Sequence, residues 1–306
     1  MKIKIKNLVK DLKRQKYLQA MAIPGIIWLL VFCYLPLYFL VIAFKDYNIV
    51  KPLMDAPWVG FKHFLEFFKD DSFWLIMKNT VGIGLLSLIF GFPLPILFAI
   101  LLNEIKNVRF KKIVQTISYL PHFLSWIILG GIMLTWLADS GIITKILVEV
   151  GVLDKPLALL AVKKYFWPIL IISGIWKELG WSAIIYLAAI TGIDPELYEA
   201  ATIDGAGRFR KIINITLPSI KGTVAVLFVL AASSILNTNF DQIMVLRNTL
   251  NHDVSDVLNV YIYTTGIRSA RYSYSTAVGL ITSLVSLGLL VLANFTTKKL
   301  TDSSLF

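Results

Sequence analysis

Glu199-Ala-Ala-Thr-Ile-Asp-Gly-Ala-Gly-Arg-Phe-Arg-Lys-Ile-Ile-Asn-Ile-Thr-Leu-Pro218 stands between two long apolar segments. The chain is 57% hydrophobic, yet here it gives twenty residues to acids, bases, glycines and short apolar runs. The chemistry of the stretch is that of ordered structure. Just upstream, Asp194-Pro195-Glu196 supplies an N-cap, a proline at the first helical position and an acid in the first turn. Leu197, Ala200, Ala201 and Ile203 make a small apolar face, and the alanines allow another backbone to approach closely. Gly205 and Gly207 bracket a helix end, where glycine adopts the left-handed conformation without a Cβ penalty. Arg208, Arg210 and Lys211, with Ile212, Ile213 and Ile215, then open a second short helix, and Pro218 marks the entry to the next apolar segment. A loop that only joined two segments would be short and polar. This one predicts two helices around a glycine turn, with an apolar face that needs a partner.

The rest of the chain supplies the setting. Only 16% of the 306 residues are charged, against about 25% in soluble domains, and apolar runs recur. Six are long enough to span a bilayer: 18–44, 73–102, 113–138, 165–191, 219–246 and 275–297. The first follows a basic stretch but is too long for a signal peptide and has no small-residue cleavage site, so it reads as a retained anchor. The net charge of +11 is distributed between the spans and not gathered in one patch, which argues for membrane topology and against nucleic acid. Seven Lys and Arg lie in 1–17, four near 103–112, four around the opening stretch (Arg208, Arg210, Lys211, Lys221), and Lys298 and Lys299 lie in the tail. With six spans these fall on one side, seventeen in all against eleven in the loops opposite. By the positive-inside rule both termini and the 194–218 loop are cytoplasmic. The outer segments 45–72 and 139–164 mix aromatics with both charges and predict short interfacial helices, with Trp58, Phe61 and Phe64 at headgroup depth.

Several chemistries are excluded. No G-x-x-x-x-G-K-[ST] occurs, so the chain has no phosphate cradle of that type. Gly205-Ala-Gly207 fails the dinucleotide pattern at its third glycine, and Gly180-Trp-Ser182 fails the nucleophile elbow. His63, His122 and His252 have no metal-ligand spacing. Cys33 is the single cysteine, so no intrachain disulfide can form. The spans offer few ionisable pairs at depth. Lys177 and Glu178 are neighbours that should point to different faces, Glu178 can still pair with Lys177 or Arg247 through the bundle, and Lys78 can snorkel at a span end. In span two, Gly82, Gly84, Gly91, Pro93 and Pro95 predict a kinked, closely packed helix.

Glu199-Ala200-Ala201, three residues, Gly205, nine residues, then Ile215-x-Leu217-Pro218 resembles the EAA loop of membrane subunits in bacterial binding-protein-dependent ABC importers, including its Asp204-Gly205-Ala206 core. The stretches 24–38, 42–48, 58–64 and 118–126 are similar to the carbohydrate-importing branch, above all to permeases for polysaccharide-derived oligosaccharides in Gram-positive bacteria. The resemblance implies an all-α, type I ABC importer permease fold in the bacterial plasma membrane. Residues 1–17 are then a basic cytoplasmic segment, 18–72 the first span and external loop, and 298–306 the tail. The transmembrane domain proper is 73–297, starting near Asn79-Thr80. It further implies a coupling loop at 194–218, with Glu199, Ala200, Ala201, Asp204, Gly205, Leu217 and Pro218 as coupling residues. No cofactor belongs to this chain; ATP and Mg would be held by two partner ATPase subunits. A second, similar permease subunit (a different chain, by family habit) and an external solute-binding lipoprotein complete the expected assembly.

Sugar recognition calls for aromatic faces and uncharged hydrogen-bonding groups. Span five offers Ser233, Asn237, Asn239 and Asp241. Ser233, Asn237 and Asp241 are spaced by four, hence on one face of a continuous helix. Trp176, Trp181 and Tyr186 in span four and Trp126 in span three are the aromatic candidates. Serine and asparagine also bond across helices as packing contacts, and tryptophan favours the interfacial belt. The competing function is a secondary carrier driven by an ion gradient, which would need broken spans and midplane charges.

Overall fold

Backbone polar groups in lipid must be satisfied within the chain, so apolar runs of this length fold as helices. The computed structural model describes residues 15–50 and 52–301, and residues 1–14, which carry most of the N-terminal basic charge, lie outside the described residues. Among the described residues the only strand-like pairing is an isolated bridge between Lys45 and Trp58. Four helices are long and apolar enough to cross a membrane unbroken, and six spans result if two bent pairs count as one each. The chain divides into two units.

One unit runs to Phe67 and takes in Thr265–Leu280. Helix α1, Lys16–Phe44, loosens from α-helix into a π turn at Leu30–Tyr34 and then 3-10 geometry over Leu35–Phe44. Pro24 and Pro36 remove ladder hydrogen bonds along it. Almost all of its side chains are exposed, as in a span that faces lipid or another subunit. After it, Lys45 is buried, donating Nζ–H to Leu53 O and Met54 O at 2.9 and 3.1 Å. Helix α2, Lys62–Lys69, is the expected short external helix. Phe44, Phe61 and Phe64 cluster beside it with centroids 5.2–5.6 Å apart, while Trp58 and Phe61 stay exposed.

The second unit carries the remaining spans. Helix α3, Phe73–Glu104, has a turn at Phe92 before Pro93. The expected third span is not one rod: α4, Val108–Tyr119, runs into a 3-10 turn at Leu120–Phe123 and meets α5, Trp126–Trp136, at 98°. Pro121 begins the break, Leu124 is extended, and Ser125 restarts the helix by accepting Ile128 N–H. Helix α6, Ile142–Glu149, lies in the next external segment, followed by α7, Lys163–Thr191. Helices α8, Pro195–Ile203, and α9, Arg208–Ser219, form the opening stretch, and α9 joins α10, Lys221–Ser233, at 63°. Short helices α11 (Phe240–Leu246), α12 (His252–Ser255) and α13 (Leu258–Tyr263) lead towards α14, Tyr272–Thr301, which belongs to both units. Helix α7 is the hub: its outer half packs in a core with Ile83, Trp126, Leu129 and Ile243, and its inner half in a second core with Ala99, Ile100 and Leu102.

Asn79 and Thr80 tie α3 to the external segment before the last span. The Asn79 amide donates to Asp253 O and Asp256 O, both at 2.9 Å, and the Thr80 hydroxyl accepts Leu258 N–H at 2.9 Å while donating to Ile76 O. Both residues are buried. Thr80→Val keeps the shape but strands the buried Leu258 N–H, at a cost of about 1–3 kcal/mol. A lowered melting temperature in detergent is expected, and an unchanged melt would remove the clamp from the account of stability.

Candidate functional site

Two places gather the residues singled out by sequence. The first is a cavity of about 500 Å3 within the second unit, walled by α3, α7, α10 and the segment before α11. Span five is broken there. Helix α10 ends at Ser233, residues 234–239 are non-helical, and Asn239 caps α11 by accepting Gln242 N–H. Ser233, Asn237 and Asp241 therefore do not share a helix face, which corrects the expectation from their spacing. Ser233 turns its hydroxyl onto Leu230 O, and Asp241 is exposed in the first turn of α11. Local capping by serine and asparagine has won over continuation of the helix. The freed backbone is held by side chains: Asn259 donates to Asn237 Oδ1 and Thr238 O at 2.8 and 2.9 Å.

The break brings Asn237, Asn239 and Gln242 to the cavity wall opposite Trp181, Tyr186 and Glu178. Gln242 is buried and donates to Leu170 O and Ser173 Oγ, joining α11 to α7. Thr238 also lines the cavity, and its buried hydroxyl has no hydrogen-bond partner among the described residues. Trp176 faces outward and Trp126 sits in the core, so neither reaches the cavity. Gln242, Thr238 and Glu178 are among the polar wall residues that sequence reasoning did not nominate for the cavity. Gln242 carried a signal, as a lone amide one turn after Asn239 inside an apolar run.

A charge cluster stands beside the cavity. Lys177, at the centre of α7 and 5% exposed, donates to His122 O at 2.7 Å and lies 3.1 Å from Glu178 Oε1. Of the two partners open to Glu178, Lys177 is therefore the one it meets, although the two are adjacent on the helix. Glu178 Oε2 is 2.7 Å from His122 Nδ1. The carboxylate can only accept, so Nδ1 carries the proton. His122 stacks on Trp181 with centroids 4.3 Å apart and planes 1° from parallel. The Lys177 ammonium lies 5.6 Å from the Trp126 ring. Arg247 is not in this cluster; it pairs with Asp256 at 2.6 Å, where His252 also lies 3.0 Å away. Burial pushes the Asp256 carboxyl up, against the opposing pull of Arg247.

The second place is the loop that opened the reading. Asp194 caps α8 by accepting Glu196 N–H at 3.0 Å. Gly205 has φ +76°, and the helix closes with Ala206 N–H on Ala201 O and Gly205 N–H on Thr202 O, the paired bonds of a Schellman end. Gly207 is instead the extended cap of α9. Hydroxyls stitch the two helices: Tyr198 Oη meets Thr216 Oγ1 at 2.9 Å, and Lys211 Nζ donates to Thr202 Oγ1 at 2.6 Å. No residue of α8 is buried. Ile203 is 88% and Phe209 83% exposed, with Glu199, Ala200, Asp204, Leu217 and Pro218 also exposed and Ala201 partly so. The loop is capped and stitched by hydrogen bonds, and among the described residues nothing covers its apolar side.

Residues 91–302 match the family described as "Binding-protein-dependent transport system inner membrane component". The chain is 43% identical over 305 residues to the polygalacturonan/rhamnogalacturonan transport system permease protein YteP of Bacillus subtilis (strain 168), covering all of this chain and 95% of that one. It is 41% identical over 295 residues to protein LplB of the same organism, covering 96% and 92%. It also superposes, with a TM-score of 0.88 and 41% identity over 97% of its length and 99% of the other's, on a chain in the crystal structure of a bacterial alginate ABC transporter in complex with alginate pentasaccharide-bound periplasmic protein. Broken spans, a capped loop with a bare apolar side and these matches lead to one conclusion: the chain belongs to the family of inner-membrane permease components of binding-protein-dependent ABC transport systems, as a helical, multi-pass membrane protein.

Proposed function

We propose that this chain is the permease subunit of an importer for oligosaccharides derived from complex polysaccharide. The observation that carries the reading is the α8–α9 loop, capped at both ends of α8 and apolar on an uncovered side. A chain with no phosphate cradle needs a surface through which a separate ATPase can move it. Two ATPase subunits, holding ATP and Mg, would seat on Glu199, Ala200, Ala201, Asp204 and Gly205, with Leu217 and Pro218 passing the motion to α10. The transmembrane domain would be 73–297, with α1 outside it. A second permease subunit, a different chain, would complete the channel, and an external binding lipoprotein would deliver the sugar. The names of YteP and the alginate transporter support the sugar class. Trp181 and Tyr186, with Asn237, Asn239 and the unpartnered Thr238 hydroxyl, supply the stacking faces and neutral hydrogen-bonding groups that a passing oligosaccharide requires. The charges at Lys177 are paired within the chain, so they are read as architecture and not as an ion-coupling site.

The test uses Gly205→Val and Glu199→Lys. A Cβ at Gly205 would meet nothing within 4 Å. The strain of a β-branched residue at positive φ therefore stays local to the loop. Membrane insertion should be unchanged. Uptake of labelled oligogalacturonide should fall by about tenfold or more, as a lost inter-site coupling of ordinary size would produce, and a co-purifying ATPase should be lost. Wild-type uptake by both variants sinks the proposal.

A further inference from the structure

A second hollow, of about 860 Å3, lies along the surface between α3 and α7. Its length is apolar: Leu86, Phe90 and Leu94 on α3 face Pro168, Ile172 and Ile175 on α7. The two helices run the same way here, since Trp167 abuts Gly82 and Ile175 abuts Gly91. One end is basic, with Lys78, Lys163 and Lys164 and a single acid, Asp253. Lys163 is spent on that acid in an ion pair that holds the Asp253 carboxyl below its ordinary range. Lys78 and Lys164 are exposed, and among the described residues no carboxylate lies within ion-pair distance of either. Helix α7 begins at this end with no acid in its first turn and no side-chain cap. By the charge rule it is the external end, where lysine is the less favoured residue, and two of its three lysines are left without a carboxylate partner among the described residues.

We infer that an anionic glycerophospholipid of the outer leaflet occupies this groove, its acyl chain on the α3–α7 wall and its phosphate between Lys78 and Lys164. The dimensions suit it. From Lys164 to Ile175 is roughly 16 Å at 1.5 Å per residue, and one leaflet contributes about half of a ~30 Å hydrocarbon core. Charge complementarity selects an anionic headgroup over a zwitterionic one, and the uncapped start of α7 adds a favourable dipole end. The inference is independent of the sugar and of the coupling loop.

The full-length chain, extracted in mild detergent, should retain phosphatidylglycerol over phosphatidylcholine in native mass spectrometry. After delipidation, phosphatidylglycerol added in mixed micelles should raise the melting temperature at lower concentration than phosphatidylcholine does. In the Lys78→Ala/Lys164→Ala variant the phosphatidylglycerol concentration needed should rise on the order of thirtyfold, two lysines acting near a headgroup, with the phosphatidylcholine response unchanged. Lys78→Arg/Lys164→Arg should behave as wild type, which separates lost charge from misfolding. Equal responses to the two lipids, or an unaltered alanine variant, overturns the inference. So does a chain carrying a photo-crosslinking residue in place of Ile172 that is captured on another membrane subunit, because the groove is then a protein interface.

Discussion

Gly84→Val is expected to leave little folded protein in the membrane, and Gly84→Ala to lower both the melting temperature and transport. Helix propensity alone predicts the opposite sign for alanine, a gain of about 1 kcal/mol inside a helix. The contact decides otherwise. A Cβ on Gly84 would lie 2.0 Å from Ile235 O and 2.9 Å from Ile235 C, backbone atoms that cannot rotate aside. Forcing an extra methyl into such a contact costs about 1–3 kcal/mol or more, which exceeds the propensity gain. Relief must come from moving residues 234–239, which carry Asn237 and Thr238 into the cavity wall. A variant that does fold should therefore still transport poorly. Gly131→Ala is the control: its Cβ would meet nothing within 4 Å, and its melt should match or exceed wild type. Equal melts for Gly84→Ala and Gly131→Ala would show that the α3–Ile235 approach is unimportant.

The same residues show what could be read in advance. Span existence was legible because apolar length is a one-dimensional property, and the ends of α8 were legible because Asp194, Pro195 and Gly205 are local signals with local causes. The breaks were not. Residues 113–138 and 219–246 are apolar enough to read as rods, but Ser125 and Asn239 cap new helices inside them, and their success depends on partners far away in sequence. Asn259 holding Asn237 and Thr238 is such a partner. Gly82 and Gly84 in span two were read correctly as close packing, against Trp167 and Ile235. The cavity itself depends on three helices meeting, so only the residue types on its wall were foreseeable. Trp181, Tyr186, Asn237 and Asn239 arrive there, and Ser233, Asp241, Trp126 and Trp176 do not.

The second large effect is expected at Lys177 and Glu178. Glu178→Leu leaves a buried ammonium at the middle of a span with no counter-ion among the described residues, held by His122 O and the face of Trp126. Breaking a buried pair by removing one member costs about 3–5 kcal/mol, and because Glu178 is 40% exposed on its side chain towards the cavity, the lower part of that range applies. His122 also loses the acceptor of its Nδ1 proton, and with it the restraint that keeps its ring against Trp181. Glu178→Leu should thus show a much lower melting temperature. Glu178→Gln should be milder, since an amide oxygen still accepts from the lysine. In Lys177→Met/Glu178→Leu both charges are gone, and the melt should recover most of the loss, because replacing a buried pair by apolar groups is often close to neutral. Transport should not recover with it, because the double variant still lacks the carboxylate that orients His122 behind the Trp181 face on the cavity. Recovery of both stability and uptake would reduce the cluster to packing, whereas a double variant less stable than Glu178→Leu would contradict the pairing of these charges.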